Sequence, residues 1–283
     1  RGKDEGRKGK AGDNAVLEVR IMNDKKMTIV AYGGGTNSTA MLIECVKRGI
    51  EVDLIMFADT GGEKPHTYNY IKIFSEWLQE RGYPEIITVK KGGNQETLEQ
   101  SCLRRGALPS IAYGFKTCSG EFKIGPQVKY VNNYAPAKEV WKAGNKITRL
   151  IGFDADEPQR ADGTIPDDQV KKYENRYPLI EWDMGREECI ESIEKAGLCP
   201  PGKSSCFFCP SQRPADIKKI SVIYPELMER ALEMERNANE RRPGMTKGLG
   251  RSFAWKDVLA TDDMFPEEYH HAPELSCGCY DGD

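Results

Sequence analysis

The chain has 283 residues, 39% of them hydrophobic and 30% charged, with a formal net charge of −3 and a mean hydropathy of −0.62. At this length roughly 75% of the surface of the unfolded chain is buried on folding, so no disulfide framework is needed, and the composition is that of one large or two modest soluble domains, with no apolar run that approaches a membrane helix. The balance of 41 basic against 44 acidic residues argues against nucleic acid held by bulk charge, though not against a local basic patch.

Residues 1–14 (RGKDEGRKGKAGDN) are rich in glycine and charge and lack apolar periodicity, which predicts a flexible N-terminal extension over residues 1–23. From Met27 the pattern changes. Met27–Tyr32 reads as a strand, followed by Gly33-Gly34-Gly35 and a helix over Asn37–Arg48 that stops at Gly49. A second strand (Val52–Ala58), a second helix (Thr67–Arg81) and a third strand (Glu85–Val89) follow, and Lys146–Gly152 is a fourth strand leading into an acidic loop. Helices are predicted over Met184–Ala196, capped by Gly197, and over Glu226–Asn237. Residues 199–214 are rich in Cys, Pro, Gly and Ser, and 240–283 read as mostly irregular. Strands alternating with helices through short links imply parallel pairing and right-handed crossovers. The predicted fold is a doubly wound, mainly parallel α/β sheet over residues 24–198. A Cys-rich, largely irregular region, 199–283, packs on the same domain.

Nine cysteines accompany only three histidines. An odd cysteine count without a secretory signal predicts a reducing compartment, the cytoplasm. Histidine-based catalysis is poorly supplied, so the cysteines are the first candidates. Cys45 and Cys189 fall inside predicted helices and read as core; Cys102 is undecided, with core favoured.

Gly33-Gly34-Gly35-Thr36-Asn37-Ser38-Thr39 sits between the first strand and the first helix, where a doubly wound sheet binds its ligands. Glycines let backbone approach a phosphate, the helix N-terminus offers unpaired N–H groups, and Thr36, Ser38 and Thr39 add hydroxyls. The competing reading is a tight strand–helix turn with Ser/Thr caps. No Gly-Lys-Ser/Thr follows, so this is not a Walker A loop, and Ser38 occupies the third glycine position of the dinucleotide fingerprint.

The loop is similar to the Ser-Gly-Gly-x-Asp-Ser pyrophosphate (PP) loop of the ATP pyrophosphatase superfamily through Gly34, Gly35 and Ser38, with Gly33 and Asn37 replacing its first serine and its aspartate. Asn37 is a poorer Mg²⁺ ligand than a carboxylate. Ala58-Asp59-Thr60-Gly61-Gly62-Glu63-Lys64-Pro65-His66-Thr67-Tyr68 resembles the Asp-Thr-Gly-x-x-x-Pro-Glu-Thr-Tyr segment of the phosphoadenosine phosphosulfate (PAPS) reductase family, with His66 for the glutamate. Gly152-Phe153-Asp154-Ala155-Asp156-Glu157-Pro158-Gln159-Arg160 resembles that family's Gly-Ile-Arg-x-x-Glu-Ser-x-x-Arg loop, with Asp154 where an arginine is common and Arg160 as the remaining phosphate ligand. Tyr177-Pro178-Leu179-Ile180-Glu181-Trp182 resembles its Pro-Leu-x-x-Trp strand.

This resemblance, over residues 27–210, implies a Rossmann-like adenine nucleotide alpha hydrolase fold. It implies an enzyme that binds ATP or PAPS, with Mg²⁺ the ion that would accompany ATP. The nucleotide would lie over Gly33–Thr39 and Asp59-Thr60-Gly61. It also implies the iron–sulfur branch, which includes the sulfurtransferases of DNA phosphorothioation. There Cys118, in Lys116-Thr117-Cys118-Ser119, matches the first cysteine of a Cys-Cys pair, and Cys206-Phe207-Phe208-Cys209 matches the later Cys-x-x-Cys. With Ser119 replacing the second cysteine, Cys199, Cys277 or Cys279 would be the fourth ligand of a 4Fe-4S cluster, Cys199 being taken here. Tetrathiolate zinc and unliganded thiols suit the same spacing. Cys277 and Cys279, in Ser276-Cys277-Gly278-Cys279-Tyr280, are similar to the mobile Cys-Gly tail whose thiolate attacks the sulfate sulfur, and are the candidate nucleophiles.

Expected partners are the adenine nucleotide, a sulfur-donor or electron-donor protein and a nucleic-acid substrate, with no membrane. Arg104, Arg105, Arg241, Arg242, Lys247 and Arg251 fall in predicted loops, as solvated charge or phosphate ligands. The other classes considered are a nucleotide-binding accessory protein for nucleic-acid modification, with structural zinc and no turnover, and a nicotinamide oxidoreductase, which Ser38 and the cysteines disfavour.

Overall fold

The computed structural model describes residues 26–92, 96–109, 111, 112, 115, 116, 118–161, 167–244, 247–250 and 252–261. The expected N-terminal extension, Arg251 and the segment with Cys277 and Cys279 lie outside them. The main sheet contains β1 (Thr28–Tyr32), β2 (Leu54–Ala58), β3 (Ile86–Val89), β6 (Ile147–Leu150) and β7 (Tyr173–Arg176). Their spatial order is β3–β2–β1–β6–β7, and every neighbouring pair is parallel. β2, LIMFA, is buried at all five positions, as a central strand covered on both faces must be. β4 (Ile111–Ala112) and β5 (Phe115–Lys116) form a separate antiparallel pair.

The expected doubly wound α/β fold is therefore present. Helices α1 (Thr36–Lys47), α2 (Pro65–Gln79) and α8 (Arg186–Lys195) cover one face of the sheet, around Val30, Ile55, Phe57, Phe74 and the buried thiols of Cys45 and Cys189. Helices α4 (Gly125–Asn133) and α5 (Ala135–Lys142) cover the other, against Ile29, Leu54, Met56 and Ile147. A third core lies beside the sheet. It joins α3 (Leu98–Arg105), the π-helical turn Ser119–Ile124, α9 (Pro214–Ile223), α10 (Pro225–Arg241) and α11 (Trp255–Leu259) around Cys102, Phe122, Phe207, Phe208 and Trp255. In the Cys-rich region the expected helix over Glu226–Asn237 is present as α10, and α9 precedes it where no helix was expected. Each begins at a proline whose missing N–H costs nothing at a helix start.

Two local expectations change. The segment 177–182 is not a strand: Pro178 starts the single helical turn α7, Pro178–Glu181. The fifth sheet strand is Tyr173–Arg176, just after α6 (Asp167–Lys172), where the polar sequence YENR carries no apolar alternation. Arg104, Arg105 and Arg241, expected in loops, occupy the last turns of α3 and α10, where cations suit the helix dipole.

The sheet order reverses direction between β1 and β6, since β2 and β3 extend to one side and β6 and β7 to the other. Gly152, just past β6, presses on the first turn of α1 there. A Cβ at this position would lie 2.9 Å from the Ser38 Cα and 3.0 Å from the Ser38 N, both backbone atoms that cannot swing aside. Gly152→Ala is expected to destabilise the protein by about 1–3 kcal/mol through overpacking, measured as a lower midpoint of chemical unfolding.

Candidate nucleotide site and thiol cluster

The crevice at the reversal point holds a cavity of about 510 Å³. Its floor is the loop between β1 and α1: Gly33, Gly35, Thr36, Asn37 and Ser38 line it, and Ile151, Gly152 and Phe153 close it from the β6 side. Gly34 takes φ +74°, a left-handed conformation that glycine adopts at no steric cost. Gly35 caps α1 without a side-chain hydrogen bond, and the first turn itself carries no acidic residue, so the positive end of the helix lies at the cavity. Ser38 Oγ accepts the Gly33 N–H at 3.2 Å and donates to the Gly35 carbonyl at 3.1 Å. Thr39 Oγ1 donates to the same carbonyl at 2.9 Å and meets the Tyr32 hydroxyl at 3.0 Å. These two hydroxyls hold the loop's shape.

Among the described residues four cations line the cavity: Arg160, Arg186, Lys203 and Arg213. Arg160, the one expected from sequence, lies over the Phe153 ring with its guanidinium carbon 4.3 Å from the centroid, and pairs with Glu157 at 2.5 Å. Lys203 and Arg213 share Asp216, at 2.8 and 3.4 Å. Sequence reasoning missed Arg186, Lys203 and Arg213. They come from α8 and the Cys-rich segment, and no local motif announces them. The segment after α8 runs as a strap over the glycine loop: Thr36 Oγ1 donates to the Pro201 carbonyl at 3.3 Å, and Ser204 Oγ donates to the Gly33 carbonyl at 2.9 Å.

Asp59, Thr60 and Gly61, expected against the nucleotide, do not line this cavity among the described residues. Asp59 accepts the Gly61 N–H and the Tyr68 hydroxyl, each at 2.7 Å, and pairs with Lys90 at 3.2 Å. Thr60 Oγ1 lies 3.0 Å from Cys206 Sγ. The Gly62 carbonyl accepts the Phe207 N–H at 2.8 Å, and Glu63 forms a β-bridge with Cys206. The turn after β2 therefore holds the Cys-x-x-Cys segment. His66, where the resemblance has glutamate, stacks on Tyr224, with Nδ1 3.0 Å from its hydroxyl. Burial first, and Lys64 second, bring the imidazole down to about 4.

Cys118, Cys206 and Cys209 belong to the third core, whereas Leu198, just before Cys199, packs against the sheet core. Glu63 is buried with Oε2 unpaired, and Lys123 Nζ stands 3.6 Å from its other oxygen. Burial pushes the Cys206 thiol well above its ordinary range, helped by Glu63 and opposed by Lys123. Burial opposes charge on Lys123, but Glu63 and the three thiols outweigh it and hold the ammonium above its usual value. Among the described residues no three His, Cys, Asp or Glu side chains are placed to hold one metal ion. Three of the four cysteines expected to bind metal thus share one neighbourhood around Lys123.

No family model matches the chain. An uncharacterised protein of Methanocaldococcus jannaschii is 23% identical over 235 residues, which cover 81% of this chain and 51% of that protein. The chain therefore spans about half the length of the relative it matches. Among the described residues no helix is long and apolar enough to cross a membrane.

Two measurements test the site's chemistry. Cys118, Cys199 and Cys209 are half-buried, whereas Cys45, Cys102, Cys189 and Cys206 are buried. Burial also raises Cys45 and Cys189 to about 12 and Cys102 to about 11. Alkylation at pH 8 followed by peptide mass analysis should label Cys118, Cys199 and Cys209 first. Chelator-reversible protection of Cys118 and Cys209 would instead reveal a bound metal. His66 is protonated more readily in the unfolded chain, so stability is full above pH 6.5 and falls by about 3 kcal/mol as the pH drops towards 4. Unfolding midpoints of the protein and of His66→Gln should converge over that window.

Proposed function

We propose that the chain binds an adenine nucleotide, ATP or PAPS, over the glycine loop and uses it for sulfur transfer or sulfonucleotide reduction, as an enzyme of the PAPS reductase-like, PP-loop kind. The observation that carries this reading is the cavity at the sheet reversal, where glycine-loop backbone, a helix N-terminus and four cationic side chains converge. That combination suits a chain of phosphates better than a neutral or cationic ligand.

With ATP, an oxygen of the sulfur acceptor attacks the α-phosphorus, the bond to the β-phosphate oxygen breaks, and pyrophosphate departs into the loop. A sulfur nucleophile then displaces AMP. Fixed N–H groups and guanidinium groups stabilise the charge that develops on the departing oxygens. With PAPS, a cysteine thiolate takes the sulfonate from the nucleotide and a second thiol releases sulfite, which places the chemistry on Cys277 or Cys279, outside the described residues.

The strap supports the link to sulfur chemistry, because Lys203 and Ser204 at the cavity lead within two residues to Cys206. An iron–sulfur cluster is the cofactor that the resemblance implies for Cys118, Cys206 and Cys209, with zinc as the alternative. Either would require a fourth donor and the displacement of Lys123 from among the thiols. The reading also takes in a sulfur-donor or electron-donor protein and a nucleic-acid acceptor as partners.

ATP incubated with a nucleic-acid acceptor and a sulfide source should release pyrophosphate, or PAPS with a dithiol should release sulfite. Gly35→Val should abolish either product, since a Cβ there already meets the Ser204 hydroxyl at 3.0 Å. Nucleotide bound with neither product would instead make the chain a nucleotide-binding accessory protein.

A further inference from the structure

Asn37 stands where the resembling loop has its aspartate, and Asp154 where the resembling segment after β6 has an arginine. The structure joins the two departures. Asn37 Nδ2 donates to Asp154 Oδ2 at 2.7 Å. That bond fixes the amide, because only its NH₂ end can face a carboxylate, and the amide oxygen is left for Arg186, whose Nη1 donates to it at 3.2 Å. The Arg186 backbone N–H is held in turn by Asp156 Oδ2 at 2.7 Å. Asp154 itself is buried, with Oδ1 unpaired, and does not line the cavity, whereas Asn37 and Arg186 do.

The four cavity cations then differ in kind. Arg160 is neutralised by Glu157, and Lys203 and Arg213 share Asp216. Arg186 is the one whose side chain, among the described residues, is held by a neutral amide and no carboxylate. Its full charge is available to a ligand. A carboxylate at position 37 would face the phosphates and need a divalent cation between them; an amide backed by a buried carboxylate needs none.

We infer that Arg186, positioned by Asp154 through Asn37, is the principal phosphate ligand of this cavity, and that the site takes a diphosphate group as the free anion, without magnesium. The residues present do not fit a magnesium site at this loop. Asn37 spends its amide on Asp154 and Arg186, and Asp154 meets the loop through that bond without lining the cavity. This inference rests on the nucleotide reading only for the adenosine part of the ligand; the diphosphate part stands on the cavity itself.

The test is calorimetric binding of inorganic pyrophosphate, ATP and PAPS, each in EDTA and in excess magnesium. Pyrophosphate should bind at least as tightly in EDTA as in magnesium. Arg186→Ala should weaken it about 10- to 100-fold, the usual loss of a charge-assisted contact, with the melting temperature unchanged because the side chain is exposed. Arg186→Lys should recover part of the loss. Asn37→Asp should lose binding in EDTA, and Asn37→Asp with Asp154→Asn should bind again but only with magnesium. Pyrophosphate binding that requires magnesium in the unaltered protein, or that survives Arg186→Ala, overturns the inference. Pyrophosphate bound without magnesium while ATP and PAPS are refused keeps it and overturns the nucleotide reading; ATP bound only as its magnesium complex does the reverse.

Discussion

The contact between Gly152 and the first turn of α1 is the constraint on which the site depends. Two neighbouring parallel strands whose connections leave in opposite directions leave a crevice outside their C-terminal ends whatever their sequence. What makes this crevice a site is that the loop leaving β6 lies against the α1 backbone, with no room for a side chain. The close approach brings Asp154 within hydrogen-bonding distance of Asn37 and sets Phe153 and Arg160 along the cavity wall. A bulkier residue at 152 would separate the two loops, and the charge arrangement around Asn37 would go with them.

The second organising feature is the strap. Residues 201–204 cross the glycine loop through two hydrogen bonds, and the next residues enter the third core through Cys206, Phe207 and Phe208. One stretch of chain therefore serves both the cavity and the thiols. The turn after β2 anchors its far end through Thr60, Gly62 and Glu63. Gly62 is needed there because a Cβ would run into the Phe208 ring, 2.6 Å away. The turn that carries Asp-Thr-Gly thus holds the thiol segment through backbone and hydroxyl contacts.

What was legible in the sequence was local. The β1–α1–β2–α2–β3 alternation shows in hydrophobic period and in the glycines that close each helix, and the loop of three glycines announces its close approach directly. β7 was not legible, because YENR sits at the sheet edge with only Tyr173 fully buried and so carries little apolar pattern. Arg186, Lys203 and Arg213 were not legible for a different reason: a cation reveals its target only when the fold brings it there, from as far as 149 residues away in the case of Arg186 and Asn37. The partners of Asp59 were hidden in the same way, since they lie on the turn, on α2 and just beyond β3.

Cavity and thiols are also coupled electrostatically, and Lys64 shows how. Burial, above all, lowers its ammonium to about 8, and the charges that act on it come from both regions: Glu63 and Cys209 on the thiol side, Lys203 and Asp216 on the cavity side. An anion bound beside Lys203 would offset the repulsion that Lys203 exerts on Lys64 and so favour its protonated form. A charged Lys64 would in turn favour ionisation of Glu63, because in a buried setting such interactions are screened far less than at the surface. The strap thus gives the two regions a shared field as well as a shared backbone.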